Sequence, residues 1–339
     1  MVEKTGRLNL ITDVKGLKVG NASDEKLKSG VTVVMCDEPA VASVKVLGGA
    51  PGTRETDLLE PHTTVERAHA ICLSGGSAFG LDAASGVQAY LREKNIGFQV
   101  GPHRVPIVPS AILFDLMNGG DKDWGQYSPY REMGYLAATS ISDEFKLGTT
   151  GAGTGALTAK IKGGLGSASA IVEDYTIGAL AAVNPMGSAT MGKSKHFWAA
   201  PFEIKNEFGG LGLPQPMPED VNEISLKFRD LERGSSDSGA ANTTITVIAT
   251  DAVLDKAQAK RLAISAHDGL ARAIWPCHTP SDGDLVFALA TGTSGKVPDH
   301  AEFTDLCASA ASTMARAIAR GVYAAEPCEG DVMPCWSQI

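Results

Sequence analysis

An Asn-Thr-Thr-Ile run at 242–245 is the chemically sharpest feature of the 339-residue chain. It lies where a Ser/Gly-rich stretch of linker composition, 232–242, gives way to a β-branched segment. Threonines open many strands, and a structural reading of this run needs nothing more. The same residues also support chemistry. A hydroxyl on the first strand residue, Thr243, is placed to attack the preceding Asn242 carbonyl, form an ester by N→O acyl shift, and release its own α-amine when that ester is hydrolysed. An N-terminal threonine then carries nucleophile and base in one residue, because an α-amine has a pKa of about 7.7–8.0.

Other motifs compete less well. Residues 187–194, Gly-Ser-Ala-Thr-Met-Gly-Lys-Ser, match the phosphate-binding pattern G-x-x-x-x-G-K-[ST], and an apolar run ending in Asp251 follows further on. That pattern works only when a helix starts directly after it, so that backbone N–H groups and the helix N-terminus cradle phosphate. Here Pro201 stops any helix after hardly two turns. Gly75-Gly-Ser-Ala-Phe-Gly80 does not centre Ser77 as a nucleophile elbow requires, which leaves Ser77 as a helix cap. The glycines at 151, 153 and 155 read as packing residues. Six cysteines are too sparse for a disulfide scaffold: Cys36 and Cys72 are expected inside strands, Cys328 and Cys335 at the surface. Seven histidines in no metal-binding spacing leave metal and cofactor sites unsupported.

The elements that must position this chemistry follow from periodicity. Strands are expected at 31–36, 41–47, 70–74, 176–183, 243–249 and 284–290, and helices at about 77–94, 255–274 and 303–323, the second capped by Asp255. In the first helix Phe79, Ala83, Val87 and Leu91 form one stripe. The prolines of 105–117 suit a sheet edge or a pocket wall. Residues 148–169, rich in Gly, Ala and Thr, suit backbone packed on backbone, and 191–231 reads as loop. Thirty-eight glycines add tight turns and close approaches. A net charge of −9 disfavours nucleic acid and anionic membranes as partners. No apolar run reaches the roughly 18–20 residues of a membrane span, and the first twenty residues lack a signal-peptide core, so a cytoplasmic protein is expected.

Eight ordered blocks carry a family resemblance: 48–59, 70–83, 105–116, 151–160, 162–169, 182–187, 242–252 and 267–291. From about residue 10 to 325 the chain resembles the autoprocessing N-terminal-nucleophile peptidases, which include L-aminopeptidase/D-esterases, β-peptidyl aminopeptidases and endo-type 6-aminohexanoate-oligomer (nylon oligomer) hydrolases. The resemblance implies an α/β protein, a four-layer αββα sandwich of the L-aminopeptidase/D-esterase type. It would be built from fragments 1–242 and 243–339 of one domain and assembled as a homotetramer of cleaved units.

The resemblance also implies roles. Thr243 would be the nucleophile, Asn242–Thr243 the self-cleaved bond and Asn184 the oxyanion partner. Lys160 would sit beside the nucleophile, with Lys162 as an alternative on the same face. Asp282 and Asp284, two apart and so on one side of a strand, would orient the Thr243 amine or hold a substrate ammonium; on their own they read as a hairpin turn. Phe114 stands where characterised members carry a tyrosine beside the substrate, which removes a hydroxyl. A threonine nucleophile with Asp-Gly-Asp tilts the expectation to small-molecule amides of the nylon-oligomer type. An aminopeptidase, or an acyltransferase like the ornithine acetyltransferases, which share the fold, are the alternatives.

Overall fold

The computed structural model describes residues 4–228 and 242–339. In chain order the sheet and its helices are β1 (Leu17–Asp24), β2 (Ser29–Val46), β3 (Thr53–Arg54), β4 (Arg67–Ser74), α1 (Ala83–Glu93), a small hairpin of β5 (Phe98–Val100) and β6 (His103–Val105), β7 (Ser110–Ile112), α2 (Tyr130–Thr139), β8 (Gly164–Val172), β9 (Tyr175–Asn184), β10 (Thr243–Thr250), α3 (Lys256–Ala273), β11 (Leu285–Ala290) and α4 (His300–Tyr323).

Three apolar clusters define four layers. The first lies between α1–α2 and one face of β2 and β4, where Val31, Val33, Met35, Ala70 and Cys72 meet Ala84, Val87, Leu91 and Met133. The second lies between two sheet halves: Val34, Ala42, Ile71 and Leu73 face Leu180, Ile245, Val247, Leu285 and Phe287. In the third, Ala179, Ala181, Ile248, Val286 and Ala288 pack against Leu262, Leu270, Met314 and Ile318 of α3 and α4. Alternation along each strand explains the split, since successive side chains point to opposite faces. Helix on sheet on sheet on helix is the αββα arrangement expected from the sequence.

The two sheet halves form one hydrogen-bonded sheet, ordered β3-β7-β4-β2-β11-β10-β9-β8 with β1 beside β2. The strands expected at 31–36 and 41–47 are one 18-residue strand. β4 pairs along β2 on both sides of a register shift between Met35 and Ala40, while β1 takes the first half of the other edge and β11 the second. A bulge of this kind bends and twists a strand, which is how one strand serves both halves.

Local signals explain most boundaries. Asp255 and Asp299 each cap a helix reciprocally with the third residue on, Gln258 and Glu302. Residues 148–169 do pack backbone on backbone: a Cβ on Gly166 would fall 1.8 Å from the Ala317 carbonyl of α4. Several expectations fail. The helix expected from residue 77 starts as a 3-10 turn, and Phe79, placed on its buried stripe, is exposed with its ring edge-on to Trp124. Ser77 caps nothing; it has a positive φ, and Gly76 precedes the turn. Cys335 is buried, while Cys328 is exposed as expected. The Asp282–Asp284 turn is no hairpin, because β10 and β11 run parallel with α3 between them. Of the stretch 232–242, only Asn242 is among the described residues. No helix among them is long and apolar enough to cross a membrane.

Candidate active site

β9, β10 and β11 lie side by side, and Asn184, Asn242, Thr243, Asp282 and Asp284 gather where β9 ends and β10 begins. Thr243 is the first residue of β10 and pairs in register with Asn184, the last of β9. Both are 1% exposed. Thr243 Oγ1 donates to the carbonyl oxygen of Asn242 at 2.5 Å. The backbone N–H of Gly283 donates to that same oxygen at 2.7 Å. One carbonyl is therefore polarised by an N–H while the hydroxyl of the next residue lies against it.

A side chain at Gly283 would crowd the site, because a Cβ would sit 2.7 Å from Thr243 Oγ1 and 2.8 Å from the Ala50 carbonyl, so one of them must shift. The Asp-Gly-Asp spacing thus positions an N–H donor as well as two acids. The glycine-rich segment starting at Gly48 wraps this turn: Leu47 and Gly48 donate to the Asp284 carbonyl, and Ala50 to the Asp282 carbonyl.

The two carboxylates hold backbone. Asp282 Oδ1 accepts from Met186 N–H at 2.9 Å, and Oδ2 accepts from both the N–H and the hydroxyl of Thr279. Asp284 Oδ1 accepts the Thr244 N–H at 2.7 Å, and Oδ2 accepts the N–H and ring Nδ1 of His278. Burial, and then the neighbouring Asp284, raise the Asp282 pKa above its ordinary value. Through these bonds Asp284 fixes the residue after Thr243, and Asp282 fixes Met186, whose sulfur receives the Asn242 side-chain amide at 2.7 Å.

His278 extends the network. His267 donates from Nε2 to the Lys45 carbonyl at 2.9 Å, so its Nδ1 is the acceptor facing His278 Nε2 at 3.3 Å. His278 then donates from both ring nitrogens. Burial works against its charge, but the bonds to Asp284 and Cys277 carry its pKa up to about 10. Burial holds His267 down at about 4, hence neutral.

Asn184 has three of its four side-chain hydrogen-bonding positions engaged. Oδ1 accepts from the Leu157 N–H at 2.9 Å and from Lys227 Nζ at 2.9 Å, and Nδ2 donates to the Phe114 carbonyl at 2.9 Å. Phe114 thus meets Asn184 through its backbone and is itself half-buried. Lys160 is not in this cluster: its Nζ donates to the Gly192 carbonyl, and its nearest acidic influences are Asp220 and Glu223. Lys162 points away as well, to Asp331 and the Glu326 carbonyl. The lysine that reaches Asn184 is Lys227, which the sequence reading missed. It lies in a polar, proline-bearing stretch where no periodicity marks a buried position. Lys193 of the phosphate-loop look-alike is exposed, and no helix follows it. A 1220 Å³ groove on the outer surface, lined by Lys4, Phe202, Arg272 and Asp305 among others, includes none of these groups. Among the described residues, no cluster of acids, histidines and cysteines could hold a metal.

Comparison with known proteins gives the family of the chain. Peptidase family S58 matches residues 9–333. A Mycobacterium tuberculosis protein named as an uncharacterized aminopeptidase is 41% identical, with 95% of this chain and 96% of that protein covered. A 6-aminohexanoate-oligomer endohydrolase of a Kocuria species is 29% identical over 86% of this chain and 77% of its own. The solved structure of an L-aminopeptidase D-Ala-esterase/amidase from Ochrobactrum anthropi, described as a variant of the Ntn-hydrolase fold, superposes with a TM-score of 0.70 at 21% identity, covering 98% of this chain and 91% of that one. The chain therefore belongs to peptidase family S58 and is a hydrolase of amide or peptide bonds.

Proposed function

We propose that this chain is an autoprocessing amidohydrolase whose nucleophile is Thr243, freed by scission of its own Asn242–Thr243 bond. One observation carries the reading: Thr243 Oγ1 and the Gly283 N–H converge on the Asn242 carbonyl oxygen at 2.5 and 2.7 Å. Attack by Oγ1 on the carbonyl carbon places negative charge on an oxygen that already has a backbone donor. Collapse breaks the C–N bond, and the hydroxyl proton ends on the departing Thr243 nitrogen. Water then hydrolyses the Asn242 ester, leaving an Asn242 carboxylate, a free hydroxyl and a free α-amine. In turnover that amine takes the hydroxyl proton, Oγ1 attacks the substrate amide, and the amine returns the proton to the leaving group. Water releases the acyl part.

The substrate's acyl residue takes the place of Asn242 in this scheme. Its carbonyl meets the Gly283 N–H, and its neighbouring N–H meets the Ser281 carbonyl, which accepts from Asn242 N–H at 3.0 Å. The half-buried Phe114, without a tyrosine hydroxyl, adds apolar surface suited to methylene chains. Linear 6-aminohexanoate oligomers, or other amides with flexible aliphatic acyl parts, are the substrates this reading favours. The activity named for the Kocuria relative points the same way. The names of the 41%-identical relatives support aminopeptidase activity on amino-acid amides as the second reading.

Intact-mass analysis tests the nucleophile. Wild type should resolve into 1–242 and 243–339, and Thr243→Ala should remain one chain without activity. A full-length, active wild type would overturn it.

A further inference from the structure

Lys227 is a fully buried lysine on Asn184, the residue paired with the proposed nucleophile, and the mechanism above gives it no task. Its Nζ has three acceptors: the Leu157 carbonyl at 2.8 Å, the Asn184 carbonyl at 3.2 Å and Asn184 Oδ1 at 2.9 Å. Its backbone N–H donates to the Met186 carbonyl at 2.8 Å, so the segment carrying it is laid along the chain just past β9. An ammonium has three donors and no acceptor, and here all three are used.

The consequence falls on Asn184. Its Oδ1 receives two donors, Lys227 Nζ and the Leu157 N–H. Flipping the amide would turn its own N–H groups onto those donors and leave the Phe114 carbonyl facing an oxygen. Only one orientation satisfies the network, and in it the Asn184 N–H donors lie on the side away from Lys227.

We propose that Lys227 is a positioning residue for the reaction at Thr243: it locks the Asn184 side-chain amide so that an N–H, not the carbonyl, is presented to the oxyanion formed at that centre. The assignment rests on the Thr243 reading. Lys227 precedes the proposed scission and stays on the 1–242 fragment, so both fragments supply the site. Burial brings its pKa down to about 7 against the influence of Asp282, Asp115 and Asp284. Those carboxylates are what keeps a cation tolerable there.

A double-mutant cycle tests it, read on the maturation rate and on kcat per cleaved chain, with the aminohexanoate trimer or alanine p-nitroanilide as substrate, whichever is faster. Lys227→Met should lower both rates on the order of 10-fold or more, with KM within about twofold. In an Asn184→Ala background the same change should cost less than about twofold, because the residue acts through Asn184. If Lys227→Met does not fold, Lys227→Gln, which keeps two N–H donors, enters the same cycle with the same expected non-additivity. Effects that multiply, or rates that Lys227 substitution leaves unchanged, would overturn the proposal. Thr243→Ala separates the two readings. If it still matures or turns over, the nucleophile is wrong; if it is inert while the cycle is additive, only the Lys227 assignment falls.

Discussion

Asn184 and Thr243 face each other across the antiparallel ladder of β9 and β10, at the last position of one strand and the first of the other. A residue 59 positions away in sequence is thereby paired with Thr243, and the turn before the parallel strand β11 brings the Gly283 N–H onto the Asn242 carbonyl. Asn184 and Thr243 are held by buried strands, and Gly283 by the turn that leads into β11.

Removing the Asn184 amide should therefore be costly. Asn184→Ala is expected to lower turnover by on the order of 10²–10³, as loss of one oxyanion donor does. Lys193→Ala should change it by less than about twofold, because Lys193 is exposed and belongs to no phosphate loop. Lys160→Ala should cost little, since its Nζ is on the Gly192 carbonyl. Steady-state kinetics of the three variants ranks them. Abolished activity in Lys193→Ala with a tolerant Asn184→Ala would reverse the assignment.

Gly283→Ala is expected to slow maturation by on the order of 10² without unfolding the protein. The added Cβ meets Thr243 Oγ1 at 2.7 Å and must push either the hydroxyl or the turn out of line. A time course of intact mass, alongside circular dichroism, checks this. Wild-type maturation in Gly283→Ala would show that the Asn242 carbonyl needs no donor at this position.

Substrate choice should follow the Phe114 side chain. Hydrolysis of an aminohexanoate trimer is expected to outrun that of alanine p-nitroanilide, with burial of each CH₂ contributing roughly 0.8 kcal/mol. Phe114→Tyr should shift the ratio back toward the anilide. An anilide rate a hundred times the trimer rate would place the activity with aminopeptidases.

The His278–Asp284 pair makes stability depend on pH in a direction that can be read off. The His278 pKa stands at about 10 in the folded chain against 6.5 for an ordinary histidine. Its contribution is then complete below about pH 6.5 and is lost as pH rises through about 10. In a Thr243→Ala background, the stability gap between His278 and His278→Gln, from urea melts, should be widest near pH 6 and shrink toward pH 10. A gap that widens with pH would show that the pair is not an ion pair.

Much of this protein is legible in its sequence where the signal is local. The Asp255 cap, the β-branched strands after Asn242, the buried 70–74 segment and the glycines that let β8 meet α4 all act through neighbours or through the absence of a side chain. The ordered blocks 182–187, 242–252 and 267–291 supply Asn184, Thr243 and the Asp-Gly-Asp turn to one place, and the strand register puts them together. What tertiary structure alone decided is which atoms face one another. Lys160 and Lys227 are both lysines in polar text, yet one lies on the Gly192 carbonyl and the other inside the site, because burial of a cation depends on distant acceptors that no local pattern announces. Asp282 and Asp284 look like groups awaiting a substrate, but each oxygen is taken by Met186, Thr279, Thr244 or His278, partners set by the packing of β9, β10 and the turn before β11. A residue's type says what it can donate or accept; only the fold determines whether that capacity is already used.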